Sequence, residues 1–242
     1  MPVYLLSDDP VFPPPELASE QGLLAIGGDL SPRRLLVAYR MGIFPWYSEA
    51  EPILWWSPDP RLVLYPREIR ISRSLQKTIR KGHFQVTMDR AFERVIAECA
   101  RVHRQKDKGT WIVDEMITAY CRLHASGLAH SVEAWQSGRL AGGLYGISLG
   151  RVFFGESMFT RITNASKVAF VALVKHLEGL SFDLIDCQVT TSHLMRFGAR
   201  EIPRRQFLRQ LKESLAAPTL KGKWFLGGGE ATNPGNERLT AP

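Results

Sequence analysis

Two segments with strand-like apolar patterns carry the polar side chains best suited to chemistry. Val152–Phe159 contains Glu156, and Leu184–Val189 contains Asp186 and Gln188. A carboxylate in an apolar strand must be paired, neutral or bound to a cation, because burying a lone charge is costly. Taken singly, each carboxylate is explained as well by a structural role, as a loop cap or an arginine partner, as by a functional one. The two together favour a cleft that binds a cationic or amino group.

Asp186 and Gln188 have the spacing of one face of a strand. Alternate residues of a strand point to the same side and lie about 6.6 Å apart along the chain. We therefore expect the two side chains to act together on one substrate.

Signatures of several other classes are missing from the sequence. It has no Gly-x-x-x-x-Gly-Lys phosphate loop and no Gly-x-Gly-x-x-Gly motif, which argues against nucleotide hydrolysis. Its three scattered cysteines offer neither a disulfide framework nor a zinc knuckle, and its six histidines include no His-Glu-x-x-His. We expect no metal and a reducing, cytoplasmic location.

Hydropathy argues against a membrane protein. The longest apolar run, Val168–Val174, has seven residues, whereas a membrane-spanning helix needs roughly 20. The N-terminal segment has no basic region before an apolar stretch, so no signal peptide is expected.

The charge is distributed unevenly along the chain. Residues 1–60 contain 3 arginines and 8 acidic residues, a net charge of −5, whereas residues 61–110 contain 13 basic and 5 acidic residues, a net charge of +8. Such a basic block indicates a polyanionic partner, most simply a phosphate backbone. The alternative is a solvated helix surface.

The composition changes near residue 61, which predicts three segments. Residues 1–60 form a small turn-rich N-terminal domain whose helix is capped by Ser31 and closed by Gly42. Residues 61–217 alternate helical and strand patterns, with Asp89 as a helix cap. Residues 218–242 are expected to form a flexible tail.

The order of elements predicts the fold class. Strands between helices, with a central antiparallel meander, indicate a mixed α/β sheet. The predicted meander comprises Ser131–Trp135, Arg139–Leu149 and Arg151–Phe159. Inside it, Gly142, Gly143 and Gly146 predict a close backbone approach or a bulge.

The sequence resembles the leucyl/phenylalanyl-tRNA–protein transferase family of bacteria over roughly residues 10–215. The resemblance is carried by the segments Gly22–Leu30, Gly42–Trp46, Trp55–Arg61, Gly109–Ile112, Gly155–Phe159, Ile185–Gln188 and Glu201–Arg205. It implies a small N-terminal domain followed by an acyltransferase domain of the acetyltransferase-like (GNAT) fold. It also implies transfer of Leu or Phe, and of Met less well, from aminoacyl-tRNA to proteins that begin with Arg or Lys. The product would carry a degradation signal of the N-end rule pathway.

The resemblance also implies roles for individual residues. Asp186 polarises Gln188, Gln188 accepts a hydrogen bond from the α-amino group of the acceptor, and Glu156 holds the cationic side chain of the acceptor. The terminal adenosine of the donor would be gripped by Trp46, Trp111, Tyr39 and Tyr120. The side chain of the donor amino acid would enter a pocket of Leu144, Phe153, Met158, Phe170, Leu173, Leu177 and Ile185. The tRNA backbone would contact Arg70, Arg73, Lys77, Arg80 and Lys81.

An aminoacyl ester is already activated, so this reaction needs no metal or nucleotide cofactor. We expect a monomer with no membrane partner. Three alternatives remain open. An acetyl-CoA-dependent N-acetyltransferase of the same fold is disfavoured because Thr160–Lys167 lacks the glycines of a pyrophosphate loop. A non-enzymatic RNA-binding module is disfavoured by the paired strand carboxylates, and a peptidoglycan-bridge ligase by the short chain.

Overall fold

The computed structural model of the protein describes residues 3–107 and 112–226, with the side chains of 103–107 left out. The strands in this part of the chain are β1 (Tyr4–Leu6), β2 (Leu23–Gly27), β3 (Phe44–Pro45), β4 (Leu54–Trp56), β5 (Arg61–Leu64), β6 (Gln85–Met88), β7 (Ala129–Gln136), β8 (Arg139–Leu149), β9 (Val152–Thr160), β10 (Leu184–Gln188) and β11 (Arg200–Ile202).

The helices are α1 (Pro32–Arg40), α2 (Arg73–Arg80), α3 (Phe92–Asp107), α4 (Asp114–Ala125), α5 (Ala165–Gly179), α6 (Ser192–Met195) and α7 (Arg204–Ser214). Over the described ranges, none of them combines the length and the hydropathy needed to span a bilayer.

The strands form two sheets. The first has the order β1-β2-β4-β3, and the second has the order β11-β5-β10-β9-β8-β7-β6. In the second sheet β9 and β10 are parallel and are connected through α5, while the other neighbours are antiparallel. This arrangement confirms the mixed α/β sheet and its central meander. The boundary proposed near residue 61 falls between the last strand of the first sheet and the first strand of the second.

The apolar core occupies both faces of the second sheet. Helices α3 and α4 and the N-terminal elements share one cluster of buried residues, and α2 and α5 share the other. The buried residues of α5 extend around most of the helix, as its strongly apolar sequence predicts.

Side-chain caps define where two helices begin. The Ser31 hydroxyl accepts the backbone N–H of Arg34 (3.3 Å), and the Ser72 hydroxyl accepts that of Leu75 (3.3 Å). Because a cap satisfies a backbone donor that has no partner within the helix, both helices begin at the next residue. The predicted cap and start of α1 are confirmed.

Gly146 allows two central strands to approach closely. The register of β8 against β9 shifts between Tyr145 and Gly146, and a Cβ atom on Gly146 would lie 2.2 Å from the carbonyl oxygen of Phe154. A side chain at this position is therefore excluded, and the predicted close approach is confirmed.

Asp89 does not cap a helix, and that prediction is wrong. Its carboxylate lies 2.8 Å from Nδ1 of His130 and accepts the backbone N–H of Ser131 (2.9 Å). The carboxylate of Glu133 instead accepts the backbone N–H of Ala91 at the start of α3 (3.3 Å). Asp89 has a φ of 52°, a conformation that Asp tolerates better than most residues, and it turns its side chain toward β7.

Residues 218–226, which were expected to belong to a flexible tail, pack against the fold. Trp224 is only 6% exposed, and its ring stacks on His130 at a centroid distance of 3.7 Å. The composition after residue 217 is polar and rich in glycine, and it does not indicate that the Trp224 side chain is buried. Residues 227–242 lie outside the described residues.

Candidate active site

The site lies where two parallel strands of the second sheet stop pairing. Asp186 of β10 is paired with Phe154 of β9, the last pair in that register. Glu156 and Gln188 each follow two residues later, and their side chains meet just beyond this last pair. A bulge after Asp186 and a φ of 61° at Gln188 then turn β10 away from regular pairing.

Glu156 and Gln188 are joined directly. The Gln188 side-chain amide donates from Nε2 to Oε1 of Glu156 (2.9 Å), and both residues are buried but line the same cavity. Because the amide nitrogen is held by the carboxylate, the orientation of the amide is fixed by this bond. The amide oxygen of Gln188 is thus directed away from Glu156 and can accept a hydrogen bond from a substrate.

Two tyrosines also donate hydrogen bonds to the carboxylate of Glu156. Tyr39 donates to Oε1 (2.7 Å), Tyr120 donates to Oε2 (2.9 Å), and the two hydroxyl oxygens lie 2.5 Å apart. Three mutual contacts need three protons, and the two phenols supply only two. Protonation of Glu156 would supply the third. All three contacts are therefore satisfied together only when Glu156 is protonated.

Burial raises the pKa of Glu156 to about 7, against an ordinary value of 4.5, although the hydrogen bonds from Tyr39, Tyr120 and Gln188 oppose the rise. Burial followed by the charge of Glu156 raises the pKa of both phenols well above 10, so they remain donors. Glu156 can therefore gain or lose a proton near neutral pH, as a general acid or base must.

We expect this carboxyl to make the stability of the protein depend on pH. Its pKa is higher in the folded than in the unfolded chain, so its stabilising contribution is fully present below about pH 4.5 and is lost as the pH rises through about 7. The shift corresponds to a change of about 3 kcal/mol across that window. Denaturant unfolding at several pH values should show this slope in the wild-type protein and a flatter one in Glu156→Gln; equal slopes would contradict the raised pKa.

Asp186 is paired with Arg61 and does not line the cavity. The guanidinium donates to both carboxylate oxygens, from Nε to Oδ1 (2.8 Å) and from Nη2 to Oδ2 (2.7 Å). Both side chains are fully buried, and the guanidinium lies between the rings of Phe44 and Phe207. The alternative of an arginine partner, which the sequence left open, thus holds for Asp186.

Asp186 nevertheless reaches Gln188 through the backbone. Its Oδ1 accepts the backbone N–H of Gln188 (2.9 Å), whereas the Gln188 side chain bonds to Glu156. The expectation that the two side chains share one strand face is wrong, because the bulge separates them. Asp186 holds the main chain of Gln188 in its left-handed conformation and is a positioning residue.

An apolar cavity of about 510 Å³ opens beside Glu156 and Gln188. This volume is within the range of small-molecule sites. Six of the seven predicted pocket residues line it: Leu144, Phe153, Met158, Phe170, Leu173 and Ile185. Leu177 is fully buried in the core and does not line the cavity. It lies one turn beyond Leu173 on α5, so the helix passes below the cavity floor at that point.

The residues expected to hold the donor adenosine are in different environments. Trp46 is 42% exposed and lines the mouth of the cavity, and the ring of Trp56 is tilted against it at a centroid distance of 5.8 Å. Tyr39 and Tyr120 are buried and their hydroxyls are engaged with Glu156, so they hold the carboxylate and offer no exposed ring face. Trp111 lies outside the described residues.

The five residues predicted to contact phosphates lie on α2 or at its ends and are exposed: Arg70, Arg73, Lys77, Arg80 and Lys81. Within the described chain, none of them forms an ion pair with a carboxylate, which leaves their charges available to a polyanion.

Gly146-Ile147-Ser148-Leu149-Gly150 matches the Gly-x-Ser-x-Gly pattern of serine hydrolases. The structure places Ser148 within the antiparallel strand β8, fully buried and far from a strand–turn–helix corner. It is therefore not an exposed nucleophile.

Several residues of the site could not be identified from the sequence. Arg61 stands in one of the family motifs, but its partner lies 125 positions away in the sequence. Phe44 and Pro45 add to the cavity wall from the N-terminal unit, while Thr191, His193 and Leu194 add to it from α6 and its start. Among these cavity residues, Phe44 and Pro45 were indicated by the sequence, because they lie in the aromatic run that leads to Trp46.

Comparison with known proteins identifies the family. The model of the leucyl/phenylalanyl-tRNA protein transferase family matches residues 63–212, and the model of its N-terminal domain matches residues 28–59. A relative named leucyl/phenylalanyl-tRNA–protein transferase from Desulfatibacillum aliphaticivorans is 61% identical over 93% of this chain and 97% of its own length. Proteins of the same name from Anaeromyxobacter sp. (strain K) and Syntrophobacter fumaroxidans are 58% and 63% identical, over 94% and 89% of this chain and 98% and 92% of their own lengths. With the Glu156–Gln188 pair beside an apolar cavity, and with relatives this close over nearly the whole chain, this protein belongs to the leucyl/phenylalanyl-tRNA–protein transferase family.

Proposed function

We propose that this protein transfers Leu or Phe, and Met less well, from aminoacyl-tRNA to the α-amino group of proteins that begin with Arg or Lys. The observation that carries the proposal is the hydrogen-bonded Glu156–Gln188 pair at an apolar cavity, in a chain of this family. The product would carry an N-end rule degradation signal. Because charged tRNA belongs to the translation apparatus, we also propose a cytoplasmic location.

The donor would bind with its amino acid side chain in the apolar cavity. Unbranched and γ-branched side chains are more flexible at χ1 than β-branched ones, which favours Leu, Phe and Met over Val and Ile. Trp46 at the mouth would stack on the terminal adenine. The ester needs no further activation, so this chemistry requires positioning and proton transfer but no cofactor.

The acceptor amine would approach between Gln188 and Glu156. An α-ammonium group has a pKa near 7.7–8.0. A carboxylate whose pKa is about 7 can therefore take its proton at a cost of about one pKa unit, roughly 1.4 kcal/mol. The amide oxygen of Gln188 accepts a hydrogen bond from the resulting amine and aligns its lone pair.

Transfer then proceeds by substitution at the ester carbonyl carbon. The amine nitrogen attacks the ester carbonyl carbon, the bond from that carbon to the ribose oxygen breaks, and an amide bond forms. One ammonium proton has gone to Glu156, and the second proton lost by nitrogen goes to the departing ribose oxygen. Before the reaction, the ionised Glu156 also attracts the cationic side chain of an N-terminal Arg or Lys, which a neutral side chain cannot match.

The basic surface of α2 gives a testable prediction for donor binding. Each phosphate contact made by a Lys or Arg steepens the dependence of binding on salt by about 0.7–0.9 in log–log slope. We expect the variant with Lys77→Ala, Arg80→Ala and Lys81→Ala to bind both Leu-tRNA and Phe-tRNA more weakly, and by the same factor. The slope of log affinity against log salt concentration should fall in magnitude by about 2 to 3. Filter binding across a salt series measures both quantities.

A matched control removes the same charge elsewhere. Arg205→Ala, Arg209→Ala and Lys212→Ala neutralise three exposed residues of α7. If this variant loses as much of the slope as the α2 variant, net charge alone explains the binding and the assignment to α2 fails.

The proposed function is tested by offering two donors. The full chain is mixed with an Arg-initiated protein and either Phe-tRNA labelled in the amino acid or acetyl-CoA labelled in the acetyl group, with chelator present. We expect label transfer from Phe-tRNA only, and mass spectrometry should place one added phenylalanine on the N-terminal amine. Acetylation without aminoacyl transfer would overturn the proposal, and binding of tRNA with neither reaction would favour an RNA-binding module.

A further inference from the structure

We infer that Trp224 is a positioning residue that sets the depth of the aminoacyl cavity by supporting Phe153 from behind. The inference rests on the proposed function, because it concerns which donor amino acid the cavity prefers. Trp224 belongs to residues 218–226, the C-terminal strap.

Trp224 lies in the layer directly behind the cavity wall. Its ring centroid is 5.9 Å from that of Phe153, which lines the cavity, while Trp224 itself does not. Aromatic pairs interact favourably at centroid distances of 4.5–7 Å. The position of the Phe153 ring therefore depends on the ring behind it.

The other neighbours of Trp224 leave its ring little freedom. His130 stacks on it almost in parallel, at 3.7 Å and 5°, while His176 and Phe182 contact it at 5.0 and 6.1 Å. His176 lies one turn after Leu173 of the cavity wall on α5. The ring thus joins β7, β9 and α5 at the back of the cavity.

The strap is fixed to the fold by hydrogen bonds at Trp224 itself and at two earlier residues. The backbone N–H of Trp224 donates to Oδ2 of Asp89 (2.7 Å), and that of Gly222 donates to the carbonyl of Gly127 (3.2 Å). Earlier in the strap, the Thr219 hydroxyl accepts the backbone N–H of Gly150 (2.9 Å). A Cβ atom on Gly127 would lie 2.3 Å from the nitrogen of Gly222, so the main chains meet without room for a side chain.

Removing the indole would leave space behind Phe153. Close-packed interiors relax into such spaces only in part, and the ring of Phe153 is the neighbour that also faces the cavity. If Phe153 moves back, the cavity deepens. A deeper cavity favours the larger phenylalanyl side chain over the leucyl side chain.

The test compares donor selectivity in full-length Trp224→Ala and Trp224→Phe. Single-turnover transfer to an Arg-initiated peptide gives kcat/KM for Phe-tRNA and for Leu-tRNA. We expect the Phe-to-Leu ratio to rise by at least about fivefold in Trp224→Ala and to return toward the wild-type value in Trp224→Phe, which keeps an aromatic ring against Phe153. Where Trp224→Ala does not fold, Trp224→Leu replaces it with the same expectation.

Leu24→Ala provides the control for simple destabilisation, because Leu24 is fully buried in the first sheet and does not line the cavity. Loss of folded protein lowers both rates and leaves their ratio unchanged. If the Trp224 variants also lose both rates equally, the residue is merely structural and the inference fails.

Failure of the proposed function is distinguishable from this outcome. If the wild-type chain transfers neither amino acid, the proposed reaction is what fails. The variants are then compared by the Tm shifts produced by 3′-amide analogues of phenylalanyl- and leucyl-adenosine. A changed ratio of the two shifts supports the role of Trp224, and an unchanged ratio overturns it.

Discussion

Replacing Gln188 with alanine is expected to lower kcat for aminoacyl transfer by about 10²–10⁴-fold. The side chain supplies the one amide oxygen that the Glu156 contact orients toward the cavity, and alanine removes it. KM for aminoacyl-tRNA should change little, because the apolar cavity and the basic surface of α2 remain. Steady-state rates at saturating acceptor peptide, with donor concentration varied, separate these two quantities.

The matched control for this variant is Gln85→Ala, which removes an exposed amide from β6. Its kcat should equal that of the wild type. A Gln188→Ala protein that unfolds at the wild-type temperature yet retains its kcat would remove Gln188 from the mechanism.

Asp186→Ala is expected to destabilise the protein by about 3–5 kcal/mol, because it leaves the guanidinium of Arg61 buried without its partner. The double variant Asp186→Ala with Arg61→Met should recover most of that stability, since it removes the unpaired charge. Its turnover should stay low, because the carboxylate that holds the backbone N–H of Gln188 is still missing. Denaturant unfolding and transfer rates on the same preparations test both halves.

The control pair is Glu98 and Arg161, which is also bidentate but partly exposed. Glu98→Ala should cost less than about 1 kcal/mol, because solvent screens such pairs. If the double variant at Arg61 and Asp186 regains wild-type turnover, Asp186 serves stability alone and has no positioning role.

Local patterns predicted the elements that carry the site. Ser31 marks the start of α1 because a hydroxyl cap is a short-range feature that neighbouring residues reveal. The meander of β7, β8 and β9 was likewise visible as apolar runs between short turns. The close approach at Gly146 was predictable because a glycine weakens a strand unless a bulge or a neighbouring main chain requires it.

The contacts that decide chemistry were not local and were therefore harder to predict. The Asp186–Arg61 pair joins residues 125 positions apart, and Glu156 accepts hydrogen bonds from Tyr39 and Tyr120, which lie on separate helices. The bulge at Gln188 also breaks the strand alternation on which the shared-face prediction relied. Family resemblance supplied the identity of these residues, but only the structure showed which atoms meet.

Asp89 and Trp224 illustrate a different limit. Asp89 precedes a helix and has the residue type of a cap, yet a histidine on β7 and the strap offer its carboxylate better partners. Trp224 lies in a polar, glycine-rich segment, whose average composition says nothing about one buried ring. In both cases tertiary contacts outweighed a local rule.

The most direct measurement of the central claim is single-turnover transfer of labelled phenylalanine from Phe-tRNA to four peptides that differ only at the N-terminus: Arg, Lys, Ala and Nα-acetyl-Arg. We expect transfer to the free Arg and Lys peptides, and transfer at least about tenfold slower to the Ala and acetylated peptides. This result follows if the amine is bound between Gln188 and Glu156 and if the ionised carboxylate selects a basic side chain. Equal transfer to the Arg and Ala peptides, or any transfer to the acetylated peptide's blocked end, would contradict it.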